Sequence, residues 1–386
     1  MKRVLILAET YIPGIKGGGP IQSIKNLTDA LGQDIEFYIL TADRDIGDEN
    51  QYPDIDNEST YHIGRAKVRY LNIKKTGIKE ISTIINKIQP DVLYLNSYFS
   101  FKFSIIPIIL NYIKMIHIQR VVLAPRGEFS PGALGLKKNK KKIYVSFANL
   151  IGIYRNVIWH ATGESEEKDI KNNIIHPSDI VSVSNFTADY NSVSYSKAIS
   201  KKPGKVKLAF LSRIHPKKNL SKSLELLNNV TGEIELNIYG PIEDEVYWNE
   251  CKKVINSLSD NISVNYLGLI NHENVITVFK NHHFFYFLTL GENFGHVIAE
   301  SLIAGTPVII SNQTPWRSLE KKGVGWDLNL KNQNKIKEIL HKVVNMNEEE
   351  YEVMSKEAFK FSKKELDLVK KRELMLDLLL GDRDEE

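Results

Sequence analysis

Two glutamates stand at the start of a predicted helix in the stretch FFYFLTLGENFGHVIAESLIAGTPVIISN, which runs over 284–312. Glu292 lies in a loop and Glu300 follows eight residues later, about two turns down the helix, so both can face one side. Their carboxylates can accept hydrogen bonds from sugar or ribose hydroxyls, and the amides between them can face a phosphate. The simpler alternative is a helix-terminal acid and a solvated glutamate. The glycine-containing turn GENFG between strand and helix favours the ligand site.

A second group of charged residues lies in the loop SRIHPKKN, after a strand predicted over 206–211. Arg213 offers a fork of guanidinium donors, and Lys218 offers a mobile ammonium in the same loop. Such a pair suits a diphosphate leaving group, because charge builds on the bridging oxygen as its bond breaks. Lys217 alone predicts nothing, since surface lysines are common.

Two further segments could contact a ligand. Gly17, Gly18 and Gly19 precede Pro20 and a helix predicted over 21–31, which lets the backbone approach a ligand, although a plain flexible loop fits equally. Arg126 and Glu128 directly follow a strand predicted over 121–124, where an open α/β sheet places ligand groups. The alternative is an ion pair that only orders the loop.

A cluster of lysines follows this second segment, and its members are Lys137, Lys138, Lys140, Lys141 and Lys142. A solvated helix face is the default interpretation. A positive patch near a substrate site also suits anionic lipid head groups or a diphosphate-linked acceptor.

The elements that must position these residues alternate between strand and helix along the whole chain, which predicts parallel sheets covered on both faces. Strands are expected at 2–8, 35–40, 68–71, 92–95, 121–124, 157–161, 206–211, 234–239, 262–267, 284–288 and 308–310. The polar stretch after residue 190 predicts a linker. We therefore expect an α/β protein with two doubly wound domains, 1–190 and 206–360, a linker over 191–205 and a cleft between the domains. A helical tail from about 361 to 386 would pack back on the first domain or bind a partner.

The composition excludes several classes of protein. The chain has 386 residues, of which 42% are hydrophobic and 25% charged, and a formal charge of +4, as in ordinary soluble proteins. The single cysteine, Cys251, excludes an internal disulfide and suits a reducing compartment. No signal peptide, membrane span or nucleic-acid module is predicted, which indicates a cytoplasmic protein.

The order and spacing of four motifs resemble the retaining glycosyltransferases of family 4, which have the GT-B fold of two Rossmann-like domains with an interdomain cleft. These motifs are SRIHPKKN, YGP at 239–241, YLG at 266–268 and GENFGHVIAESLIAGTPVI, and the 17–19 glycine loop matches the family's N-terminal loop. The resemblance implies that Arg213 and Lys218 hold the donor diphosphate and that Glu292 binds the donor sugar. It further implies that Gly18, Gly19, Asn293, Phe294, Gly295, His296 and Val297 line the donor, and that Glu300 binds the ribose.

The chain departs from the family at one place. Many members carry a histidine after the strand that matches 121–124, and PRGE stands there instead, so no catalytic histidine is expected. A subgroup acting on cell-surface polysaccharides looks similar in this segment and in SNQTPW at 311–316. We therefore expect Arg126 and Glu128 on the acceptor or sugar side.

No metal or cofactor is expected. The pairs Asp43/Asp45, Asp54/Asp56 and Asp382/Asp384 have the spacing of metal-binding acids, but their polar surroundings predict solvated charges. The resemblance implies transfer with retention from a nucleotide sugar, with a UDP-sugar favoured, to a lipid-linked or oligosaccharide acceptor for bacterial surface polysaccharide. The site would lie in the cytoplasm or at the inner face of the membrane. The alternatives are a catalytically silent protein attached to membrane or polyanion, and a nucleotide-sugar epimerase, although no acid/base pair for epimerisation stands out.

Overall fold

The computed structural model describes residues 1–130, 133–134, 138–187, 193–196, 199–366 and 368–381. The chain divides into two compact units, after residue 188 and again after residue 367, so that its last helix returns to the first unit. The predicted linker over 191–205 falls within the second unit by this division. The second unit also extends past the predicted limit at 360.

The first unit is built on an eight-stranded sheet with the order β3-β4-β2-β1-β5-β6-β7-β8, parallel except for the antiparallel pair β3-β4. Its strands are β1 (Lys2–Leu7), β2 (Ile35–Ala42), β3 (Thr60–Ile63), β4 (Ala66–Leu71), β5 (Val92–Leu95), β6 (Arg120–Leu123), β7 (Val157–Ala161) and β8 (Ile180–Ser182). Its helices begin with α1 (Gly19–Leu31), α2 (Ile78–Ile88), α3 (Ile106–Tyr112, after a π-helical turn over Phe101–Ile105), α4 (Lys138–Ile151) and α5 (Glu164–Asn173). Since the central strands are buried on both faces, they are continuous apolar runs, and Val4 to Leu7 are at most 1% exposed.

The second unit has a six-stranded parallel sheet with the order β11-β10-β9-β12-β13-β14. Its strands are β9 (Lys205–Leu211), β10 (Glu233–Tyr239), β11 (Ile262–Gly268), β12 (Phe284–Phe287), β13 (Val308–Ser311) and β14 (Gly325–Leu328). Its helices are α6 (Leu220–Leu227), α7 (Glu245–Ile255), α8 (Val275–Lys280), α9 (His296–Ile303), α10 (Gln333–Asn345) and α11 (Glu348–Glu365), with 3₁₀ turns over Pro216–Lys218 and His272–Asn274. A single apolar core fills both sides of this sheet.

The tail differs from the single helix predicted by its pattern. It forms α11 and then α12 (Leu368–Leu380), which packs on α1 and β6 of the first unit. Arg372 donates to the carbonyl oxygen of Ala30 and to the carboxylate of Asp34. Met375, Leu376 and Leu379 of α12 lie in the core of the first unit, whereas Val369 is 67% exposed.

Candidate active site

The candidate site lies in the second unit, where the chain leaves two neighbouring strands in opposite directions. β9 continues through α6 to β10, whereas the adjacent β12 continues through α9 to β13. Such a topological switch point, at the carboxyl ends of parallel strands, is where open α/β sheets bind ligands. The loops after these two strands are joined by the amide of Leu290, which donates to the carbonyl oxygen of Lys217 over 2.9 Å. The side-chain amide of Asn219 donates to the carbonyl oxygen of Leu288 over 2.8 Å.

Lys218 and Glu292 form an ion pair across these two loops. Their side chains are only 12% and 16% exposed, so the pair is largely shielded from water. The ammonium also lies 5.6 Å from the centroid of the Phe287 ring, within the range of a cation–π contact. The pairing fixes the lysine head group between a carboxylate and an aromatic face, which orients its remaining N–H donors.

Arg213 and Lys217 bring two more positive charges to the same place. The Arg213 guanidinium donates to Glu243 over 2.6 Å, which holds its side chain at the end of β9. Desolvation lowers the pKa of the Lys217 ammonium, the carboxylate of Glu292 opposes this, and the like charges of Lys218 and Arg213 add to the lowering. The sequence alone did not single out Lys217, but in the structure its ammonium is close enough to Glu292, Lys218 and Arg213 for their charges to shift its pKa.

The loop between β12 and α9 ends in a turn that only glycine adopts easily. Gly295 has φ = 78°, and a Cβ there would lie 2.8 Å from Cδ1 of Ile298. Phe294 is buried, and its carbonyl oxygen accepts a hydrogen bond of 2.7 Å from the indole N–H of Trp316. The loop is thus anchored in the core just before the first turn of α9, the turn formed by His296 and Val297, while Asn293 remains half-buried.

Glu300 pairs with a histidine from another loop. It is 4% exposed, and its Oε1 lies 3.0 Å from Nε2 of His272, at the 3₁₀ turn that precedes α8. Of the two carboxylates predicted to bind one ligand, Glu292 thus pairs with a lysine in one loop and Glu300 with a histidine in another. His272 carried no sequence signal, because it is brought close only by the path of the chain through β12.

In the first unit, the glycine loop also lies at a switch point, since β1 is flanked by β2 and β5. Gly18 has φ = 60° and Gly19 opens α1, while a Cβ on Gly17 would lie 2.1 Å from Oγ1 of Thr10. Asp45 accepts hydrogen bonds from the amides of Ile15 and Lys16 over 2.7 and 2.9 Å.

The prediction that Asp43 and Asp45 are solvated was wrong. Asp43 is fully buried and pairs with Arg44, and Asp45 is 6% exposed. Their loop packs under the glycine loop, which the local sequence could not show.

Arg126 and Glu128 hold different parts of the first unit in place and are not paired with each other within the described residues. Arg126 has φ = 56° and donates to side-chain oxygens of Asn96, Asn185 and Tyr94. The Glu128 carboxylate accepts hydrogen bonds from the hydroxyl of Ser97 and from the amides of Tyr98 and Phe99. Burial raises the pKa of Glu128 despite these bonds.

The Tyr94 hydroxyl, which accepts from Arg126, bonds Nδ1 of His160 over 2.7 Å. Burial lowers the pKa of His160 to about 3, so this histidine is neutral. Among the described residues, the loop is thus ordered by the separate hydrogen bonds of Arg126 and Glu128, and not by an ion pair between the two.

The predicted lysine cluster is only partly covered by the structure. Lys137 and the side chain of Lys138 lie outside the described residues, while Lys140 and Lys142 are exposed on α4. Lys141 instead donates to the carbonyl oxygen of Ala133 over 2.8 Å and lies 4.8 Å from the Phe99 ring centroid.

Among the residues that the structure describes, no group of three or more His, Cys, Asp or Glu side chains is placed to hold a metal ion. In the same part of the chain, no helix is long and apolar enough to cross a bilayer. Asp382 and Asp384 are not described.

Comparison with protein families finds that residues 194–361, nearly the whole second unit, match the family model of glycosyl transferases group 1. No curated protein sequence matches the chain.

Solved structures resemble the chain over nearly its whole length. HepE of Anabaena, in complex with UDP and glucose, is 13% identical with a TM-score of 0.71, covering 98% of this chain and 99% of that one. Sucrose-phosphate synthase of Thermosynechococcus elongatus is 12% identical with a TM-score of 0.72, covering 98% of each chain. WaaG, a glycosyltransferase involved in lipopolysaccharide biosynthesis, is 12% identical with a TM-score of 0.68, covering 98% and 100%. The predicted fold class, an α/β protein with two doubly wound GT-B domains, is confirmed.

Proposed function

We propose that this protein is a glycosyltransferase that takes its sugar from a nucleoside-diphosphate donor bound at the switch point of the second unit. The observation that carries the proposal is the convergence of Lys218, Glu292, Arg213 and Lys217 at the carboxyl ends of β9 and β12. The match of this same unit to glycosyl transferases group 1 supports it.

Three cations of this cluster suit the leaving group. A nucleoside diphosphate departs with negative charge on its β-phosphate, and guanidinium and ammonium groups that are already oriented stabilise that charge without reorganising. Glu243 and Glu292 orient Arg213 and Lys218 in this way. The first-turn amides of α9 add the positive end of a helix dipole. With this much positive charge supplied by side chains, we propose that transfer proceeds without a metal.

The carboxylates suit the carbohydrate parts of the donor. Glu292 keeps a second oxygen beyond the one bound to Lys218, and this oxygen can accept from a sugar hydroxyl. We assign the ribose to Glu300, whose link to His272 would have to rearrange around the new hydroxyls. We favour UDP as the nucleotide, since HepE binds UDP and glucose in its crystal structure.

The stereochemical course and the acceptor are proposed from the family resemblance. We propose retention, with the departing phosphate taking the proton of the acceptor hydroxyl. The acceptor would be a lipid-linked or oligosaccharide chain on the way to a bacterial surface polysaccharide, and the role of WaaG in lipopolysaccharide synthesis supports this choice. We place Arg126 on the acceptor side, because its guanidinium donates to the neutral side-chain oxygens of Asn96, Asn185 and Tyr94. Glu128 would shape that side through the loop over 97–99.

Calorimetric titration of the whole protein with UDP in a buffer that contains EDTA tests the donor site. We expect one UDP per chain, and we expect binding to weaken in Arg213→Ala but not in Arg65→Ala, a control in the other unit. A silent membrane-attached protein would show no UDP binding. An epimerase would bind UDP but would convert a UDP-sugar to its epimer without any acceptor, which chromatography of the nucleotide sugars detects.

A further inference from the structure

The helix α4 of the first unit carries apolar side chains on the face that it turns to solvent. Its inner face is ordinary, with Val145 and Ala148 buried in the core beneath it. The outer face exposes four large apolar residues: Ile143 (70%), Phe147 (58%), Leu150 (81%) and Ile151 (40%). Their spacing of four, three and one places them along one side of a helix. We call these four residues the α4 stripe.

A helix that is apolar on both faces is ordinarily buried on both. Large apolar groups that lie together on a surface usually mark an interaction site. Phe147 and Leu150 lie in the middle of the α4 stripe and are exposed. Phenylalanine and leucine are residue types that commonly anchor interfacial helices in lipid.

The charges of α4 select the kind of partner. Its sequence KNKKKIYVSFANLI has lysines in the first turns and contains no acidic residue. Lysines at a helix N-terminus are unfavourable, because they add to the positive end of the dipole, unless an anion lies there. Lys140 and Lys142 are exposed beside the start of the α4 stripe, whereas Lys141 is held against the protein by the carbonyl oxygen of Ala133.

We infer that α4 docks this protein on the surface of a bilayer that contains anionic phospholipid. The α4 stripe would enter the boundary between head groups and acyl chains, and Lys140 and Lys142 would meet the phosphates. A helix with an apolar face and basic flanks binds membranes through two additive contributions. One is the burial of apolar surface area, and the other is the electrostatic attraction of its lysines to anionic lipids. The inference goes beyond the transfer reaction, and it gives a lipid-linked acceptor a route to the protein.

Co-sedimentation with vesicles tests the inference on the full chain. We expect the wild type to bind vesicles of phosphatidylcholine with phosphatidylglycerol and to bind vesicles of phosphatidylcholine alone more weakly. The double variant Phe147→Ser/Leu150→Ser should bind the mixed vesicles at least about tenfold more weakly. Lys140→Ala/Lys142→Ala should lose about 30-fold at low salt, and the loss should shrink as salt is raised.

Matched controls separate docking from misfolding and from the donor site. Val246 is 73% exposed on α7 of the second unit, and Val246→Ser should bind vesicles as the wild type does. Each variant should keep the circular dichroism spectrum and the UDP affinity of the wild type. A negative result with vesicles would therefore not bear on the proposed transfer reaction. The inference is overturned if the wild type does not sediment with anionic vesicles, or if both double variants sediment with vesicles as the wild type does. It is also overturned if sedimentation velocity shows a dimer that Phe147→Ser/Leu150→Ser dissociates, because a second copy of the chain would then cover the stripe.

Discussion

Substitutions of Lys218 and Glu292 should have different effects on binding of the nucleotide alone, although the two side chains form one ion pair. In Lys218→Met the apolar stem stays against the Phe287 ring while the ammonium is lost. In Glu292→Gln the negative charge is lost while one carbonyl oxygen can still accept from Lys218. If Lys218 holds the diphosphate and Glu292 holds the sugar, only the first change should weaken UDP.

The expected magnitude follows from the shielding of the pair. Hydrogen bonds to charged groups contribute about 1.5–3 kcal/mol when they are shielded, which corresponds to about 10–150-fold in UDP affinity. Lys218→Met should therefore raise the Kd for UDP by this factor. Glu292→Gln should leave the Kd unchanged or lower it, because the nearest negative charge has gone, and yet it should reduce transfer about 100-fold through loss of sugar positioning.

Both variants should also lose some stability. Because the two side chains are only 12% and 16% exposed, removing one partner should cost about 1–3 kcal/mol. For a unit of this size that corresponds to a Tm lower by about 2–4 °C for each kcal/mol.

The assay is calorimetry with UDP for binding, and release of UDP from a UDP-sugar in the presence of acceptor extract for transfer. Lys222→Met and Glu338→Gln are matched controls, since both residues lie on exposed helix faces of the same unit in surface ion pairs. The reasoning is refuted if Glu292→Gln weakens UDP as much as Lys218→Met does, because the pair would then act only by holding the two loops together.

Three further outcomes are expected. Burial lowers the pKa of His283 in the folded protein to about 4, so this histidine stays neutral down to about pH 5. In the unfolded chain the same histidine takes up a proton below about pH 6.5. The free energy of unfolding should therefore fall by about 2 kcal/mol between pH 7 and pH 5 because of this group. Urea unfolding at both pH values should show a smaller fall in His283→Gln. Asp45→Ala should release the amides of Ile15 and Lys16, and we expect faster hydrogen exchange in the glycine loop together with slower transfer at unchanged affinity for UDP. Leu379→Ala, at a fully buried position of α12, should cost about 2–5 kcal/mol in the unfolding of the first unit, measured by denaturant titration.

The strands buried on both faces were predictable from sequence, because burial leaves a continuous apolar run. The predictions for β5 and β7 coincide with the observed strands at both ends. The short edge strands β3, β8 and β14 were missed. The residues of β3 and β8 are at most half-buried. β14 begins at Gly325, whose φ of 139° suits the close approach of Val308 but gives no strand signal.

The candidate site was predictable only as separate loops. Arg213, Lys218 and Glu292 stood out because each follows an apolar strand, and the order of strands in the sheet then places their loops side by side. Glu243, the partner of Arg213, and His272, the partner of Glu300, did not stand out, since they follow other strands and are brought close by contacts that no local pattern encodes. Asp45 was misread for the same reason, because its burial depends on a loop thirty residues earlier.

A crystal structure of the protein with UDP tests the central claim most directly. We predict the diphosphate within hydrogen-bonding distance of Arg213 and Lys218, in front of the first turn of α9, with the ribose beside Glu300. UDP bound elsewhere on either unit, or an empty switch point at a saturating concentration of UDP, would contradict the account.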